Sequence, residues 1–177
     1  MTWPAIVARK RNLNLTCLGY GGNCHLEPMV ARMIRDLPAD FISMKVGVNI
    51  YGAASLSLRT FRAAVIGFAM TVRDGHPDTP LVVASPIVSP PHEHAKNDVG
   101  LTLVAMRDEV AGAVEDLRAH GDGKIHYVDG LRLFGHDLTD MLPDDVHPDA
   151  EGYKALARNF IREVVDQVYA PSVKGGD

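Results

Sequence analysis

The chain has 177 residues, 46% of them apolar and 23% charged, which suits one globular domain able to bury roughly 70% of its unfolded surface. A formal net charge of -4 supplies no basic field for a phosphate backbone, and no Lys/Arg cluster interleaved with aromatics occurs, so nucleic-acid binding is not expected. No apolar run approaches the roughly 18 to 20 residues of a membrane span, and residues 1–12 lack the apolar core and cleavage site of a signal peptide, so the expected setting is cytoplasmic.

In chain order, residues 3–10 (WPAIVARK) predict a helix with Pro4 near its start, where helix geometry permits proline. Residues 13–19 (LNLTCLG) predict a first strand and make Cys17 a small core residue. Leu26, Met29, Val30, Met33, Ile34 and Leu37 then recur at helical spacing, predicting a helix soon after Gly22. A second strand follows at 40–47 (DFISMKVG), and Leu58, Phe61, Val65, Phe68, Ala69 and Val72 form the stripe of a second covering helix. The third strand is 80–85 (PLVVAS). Residues 86–97 (PIVSPPHEHAKN), with three prolines and two histidines, make an irregular rim or lid. Val104, Val110, Ala113, Val114 and Leu117 mark a looser helix before a fourth strand at 124–128 (KIHYV). The last helix begins after Pro148, capped by Asp149, and turns Tyr153, Leu156, Phe160, Ile161, Val164 and Val168 inward. Residues 171–177 (PSVKGGD) read as a frayed tail on a single domain spanning 1–170. This alternation of short apolar strands and amphipathic helices is that of an α/β fold with a parallel sheet covered on both faces.

In such a sheet the ligand crevice lies beyond the carboxyl ends of the strands. Gly21-Gly22-Asn23 follows the first predicted strand, Val48-Asn49 the second and Ser85-Pro86 the third, while the fourth leads to Asp144 and His147. An Asp three residues before a His on the turn into a helix can hold one imidazole nitrogen and leave the other free as a base. The Gly22 N–H and the Asn49 amide can donate to an oxyanion. Taken singly, each has a plain alternative: a Gly-Gly turn supplies backbone freedom, an Asn after a strand caps or turns, and Asp-x-x-His is a common spacing. Their placement after successive strands is what sets them apart.

Cys17 and Cys24 show no Cys-x-x-Cys or Cys/His spacing, so neither a disulfide nor a zinc site is expected. His92 and His94 flank Glu93 but lack a third ligand, and read as rim residues rather than a metal site. No Gly-x-Gly-x-x-Gly or P-loop occurs, which weighs against a flavodoxin-like nucleotide binder and leaves no cofactor expected.

These residues resemble the SGNH, or GDSL-type, esterase and lipase family, a flavodoxin-like three-layer α/β/α sandwich. Gly22 in GYGGN matches its second block, Asn49 in VGVNIYG its third, and Asp144 with His147 in DDVHPDAEGY its fifth. GYGGNCHLEP is similar to a subgroup of bacterial acylhydrolases and carbohydrate esterases. The resemblance implies Gly22 and Asn49 as oxyanion donors, His147 as general base, Asp144 as its orienter and a small-molecule ester as substrate. Asp145, two residues before His147, is left as a solvated loop charge. The family's first block, a strand ending in Gly-Asp-Ser or Gly-x-Ser, has no counterpart in residues 1–15, which contain no serine, and residues 3–10 match the helix that follows it. The expected fold therefore lacks the family's first strand, with association of chains or a strand swap as a consequence.

Three other residues lie at this edge of the sheet. Ser85 is the best-placed substitute nucleophile, against its plainer reading as a strand-end serine. Cys24 is either a thiol activated beside the oxyanion site or a small side chain lining the pocket. His25 is a possible substrate contact. A protein that keeps the cleft without turnover is the alternative to an ester hydrolase.

Overall fold

The computed structural model describes residues 1–169, so the predicted tail lies outside the described residues. The elements are helix α1 (Trp3–Arg11), α2 (Pro28–Asp36), strand β1 (Ile42–Lys45), α3 (Val48–Ala53), α4 (Leu58–Arg73), β2 (Leu81–Ala84), α5 (Leu103–Ala119), β3 (Ile125–Val128), the short α6 (Gly130–Leu133) and α7 (Ala150–Phe160). A π-helical continuation of α7 runs over Ile161–Tyr169. No helix among the described residues is long and apolar enough to cross a membrane.

The three strands pair in parallel in the order β1-β2-β3. β2 is central, and its four residues are no more than 1% exposed because both of its faces are covered. Leu81 and Val83 point into one core with residues of α2, α4 and α5, while Val82 and Ala84 point into a second with α1 and α7. The result is the expected three-layer α/β/α arrangement. Asp149 caps α7 as its position predicts, accepting from the Gly152 N–H at 2.8 Å.

The predicted strand at 13–19 does not form. No backbone hydrogen bond joins residues 14–19 to the sheet, Leu15 is 44% exposed, and Cys17 lies on the surface rather than in a core. The alternation of Leu13, Leu15 and Cys17 fits a strand, but a strand exists only when a neighbour takes its polar groups. Because α1 and α2 pack on opposite faces, the chain between them must pass round the β1 edge, and it does so without pairing.

That edge is open. The Ile42 and Val46 N–H groups donate to Pro80 and Ala84 carbonyls at 3.0 Å, so in a parallel ladder the intervening Ser43 and Lys45 turn their backbone groups away from β2. The same openness explains the outer side of α2. Met29 (68%) and Leu37 (38%), both expected in its buried stripe, are exposed because no further element covers them, while Ala31 is buried.

Gly47 ends β1 with φ of 128°, and a Cβ there would run into the Pro86 ring. This close approach of the β1 and β2 ends is what starts α3 beside the loop after β2.

Candidate active site

Asn49 sits in the first turn of α3 rather than in a loop. Its Oδ1 accepts from the Cys24 N–H at 3.3 Å, and because an amide presents oxygen and nitrogen on opposite sides, Nδ2 is left with its protons undonated. The bond also places the Gly22 loop beside α3. Gly22 has φ of 78°, which glycine adopts without strain. Its carbonyl accepts from His25 Nε2 at 3.2 Å, and the other nitrogen of that ring meets Ser55 Oγ at 2.8 Å. Since a carbonyl only accepts, Nε2 carries the proton, and in the neutral ring Nδ1 accepts from the Ser55 hydroxyl. His25 therefore braces the glycine turn from outside.

On the other side, the turn before α7 folds Asp144 back onto its own backbone. Oδ1 accepts from the Val146 N–H at 3.0 Å and the His147 N–H at 2.6 Å, and Oδ2 meets His147 Nδ1 at 2.7 Å. The His147 backbone bond, then its side chain and the Val146 N–H, hold the Asp144 carboxyl down to about 2. An ionised carboxylate accepts, so Nδ1 donates and Nε2 is left as the basic nitrogen. Both side chains are exposed, Asp144 by 55% and His147 by 70%. Asp145, left-handed at φ of 63°, turns its carbonyl to Ser89 instead.

The two halves are joined by Tyr51, which the sequence did not mark, and by Ser89 and His92 of the loop expected to form a rim. Tyr51, two residues past Asn49, packs its ring 5.0 Å from that of His92, and His92 Nδ1 lies 2.7 Å from Ser89 Oγ, which reaches Asp145 O. These are contacts between distant segments, and no local period announces them.

No serine among the described residues has its hydroxyl on His147 Nε2. Ser85 is fully buried, its Oγ accepting from the Gly130 N–H and sharing a hydrogen bond with Tyr127 OH, both at 3.0 Å. That fastens β2 to the start of α6 and leaves no surface for a ligand. Cys24 is only partly buried, but desolvation raises its thiol, against the pull of nearby Lys45, so the thiolate is disfavoured. Glu93, between the two loop histidines, is bonded to Arg107 through both oxygens at 2.7 Å. Burial alone would raise its carboxyl, but the Arg107 and Ser89 N–H bonds outweigh that and lower it. No group of three or more His, Cys, Asp or Glu among the described residues is arranged to hold a metal. A cavity of about 440 Å³ lined by His94, Asp108, Tyr127, Asp129 and His136 contains none of Gly22, Asn49, Asp144 or His147.

The three-layer α/β/α sandwich carries a glycine turn and an asparagine amide on one side and a bonded Asp-His pair on the other. The chain belongs to the GDSL-like lipase/acylhydrolase family, whose match spans residues 1–165. It is similar in structure to the salicylyl-acyltransferase SsfX3 from a tetracycline biosynthetic pathway, at 37% identity and a TM-score of 0.82, covering 93% of this chain and 48% of that one. A carbohydrate esterase of family 3 from Talaromyces cellulolyticus shares the fold at 14% identity and a TM-score of 0.68, covering 96% of this chain and 92% of that one. An acetyl-xylooligosaccharide esterase variant from Geobacillus does so at 20% identity and a TM-score of 0.66, covering 92% and 80%. The chain spans about half the length of the acyltransferase. No curated protein matches it.

Proposed function

We propose that this chain carries the base and oxyanion parts of an ester-hydrolase site acting on a small acyl ester, such as an acetylated sugar. The observation that carries the reading is the 2.7 Å bond between Asp144 and His147 Nδ1, which leaves Nε2 unbonded as a base. The acyl carbonyl sits with its oxygen toward Asn49 Nδ2 and the Gly22 N–H. As a nucleophile adds, the carbonyl oxygen gains negative charge, which those donors stabilise more strongly than the ground-state carbonyl. His147 Nε2 takes the nucleophile's proton, and Asp144 stabilises the imidazolium that results. The leaving alcohol recovers the proton as the tetrahedral intermediate collapses. In a complete site the nucleophile is a serine that forms an acyl-enzyme. In residues 1–169 it is water, because no serine hydroxyl meets Nε2. The names of the acyltransferase and esterase neighbours support acyl transfer as the class.

The test is hydrolysis of short-chain nitrophenyl esters by the chain and by Asn49→Ala. Loss of one oxyanion donor is expected to cut the enzymatic rate by about 100-fold. A rate unchanged by Asn49→Ala would remove this residue from the site.

A second reading is favoured by the exposed, serine-free Nε2: a cleft that binds an acyl ligand without turning it over. Saturable binding with no hydrolysis above the solution rate would select it. We also propose that the open β1 edge pairs with another strand, because Ser43 turns its backbone groups away from β2 while the Lys45 carbonyl meets only the Cys24 thiol, at 3.8 Å. Light scattering across a concentration series is expected to show self-association, and a monodisperse monomer at all concentrations would exclude it.

A further inference from the structure

We infer that Ser89 is a positioning residue for the Asp144–His147 pair, clamping the turn that carries them to the buried framework of the sheet. This rests on the pair being the base of the proposed site. An exposed ion pair three residues apart in sequence holds little rigidity of its own, yet a base must be fixed within a fraction of an ångström to act. Beside the local bond from the Asp145 N–H to Leu142 O at 3.1 Å, Ser89 Oγ donates to Asp145 O at 2.7 Å and so ties the turn to the distant loop after β2.

The far end of that tie is anchored. Ser89 is 2% exposed, so neither solvent nor substrate reaches its hydroxyl. Its single proton goes to the Asp145 carbonyl, so the 2.7 Å contact with His92 Nδ1 must be donated by the ring. Its N–H donates to Glu93 Oε1 at 3.0 Å. Glu93 is gripped by both terminal nitrogens of Arg107, whose Nε donates to Pro86 O at 3.0 Å. Glu93 and Arg107 are each 6% exposed. A buried, doubly bonded ion pair between Glu93 and Arg107 of α5 thus fixes the loop after β2, and one hydroxyl passes that order to the exposed turn. The same accounting rules out Ser89 as a nucleophile, since its proton is committed and its oxygen buried.

The His147 ring reports the turn directly. In the neutral protein the Asp144 bond requires the proton on Nδ1, and the ring nitrogen shifts in a long-range proton–nitrogen correlation spectrum distinguish this form from the Nε2–H form. The native chain is expected to show the Nδ1–H form predominating. Ser89→Ala is expected to convert it to a mixture with Nε2–H, while Ser89→Thr, which keeps the hydroxyl, restores the native pattern. Should Ser89→Ala fail to fold, Ser89→Cys fills the space with a weak donor and is expected to give the same mixture. A folded Ala or Cys variant with the native tautomer pattern would overturn the inference. The spectrum needs no ester, so it stands or falls apart from the hydrolysis that tests the proposed function.

Discussion

The chain as it stands is expected to hydrolyse a short nitrophenyl ester no more than about 1,000- to 10,000-fold faster than solution, the level that an oxyanion hole and binding sustain once a serine nucleophile is gone. A site with serine in place is faster on the order of 10⁶-fold over one whose nucleophile or base is lost. The reason lies in where the hydroxyls point. Ser85 is bonded to Tyr127 and Gly130, Ser89 to Asp145 and His92, and Ser55 to His25, so each serine near the site is engaged elsewhere. Treatment with a fluorophosphonate followed by intact-mass measurement is the direct check. The expected result is no adduct, and stoichiometric labelling of any serine in this chain would refute the assignment.

The second large effect is expected from Asp144→Asn. An asparagine at this position still accepts the Val146 and His147 N–H groups through its oxygen, so the turn and fold survive. Its NH₂ then faces His147 Nδ1 and can only donate, which forces the ring proton onto Nε2 and removes the base. The hydrolytic rate is expected to fall by about 100-fold or more in a chain that still folds at neutral pH. The pH dependence has a definite sign. A carboxyl held at about 2 is stabilising above its ordinary value of 3.8, and that contribution is lost as pH falls through about 2. Between pH 4 and neutrality Asp144 is therefore ionised, and a loss of rate in that range does not come from this carboxyl. A rate that survives Asp144→Asn would mean that the imidazole acts without its carboxylate.

Much of this molecule was legible before any coordinates. The stripes of α4 and α7, the three paired strands and the Asp144–His147 spacing are local patterns, and each lies where its period places it. The failures share one cause, which is dependence on a neighbour. Residues 13–19 have strand composition without a strand beside them, so Cys17 is exposed rather than in the core. Met29 belongs to a helical stripe whose outer half nothing covers. The orientation of Asn49 comes from a backbone N–H 25 residues away, and the Ser89 clamp spans 56 residues. The prolines of the 86–97 loop signalled an ordered irregular segment, but not that its serine reaches the Asp145 carbonyl.

The most direct test of the central claim, that Asn49 and His147 act together on one acyl group, is the nitrophenyl-ester rate of a chain carrying both Asn49→Ala and His147→Ala. The expected result is a fall to the solution rate in a folded protein. A double variant that hydrolyses the ester as fast as the native chain would contradict it.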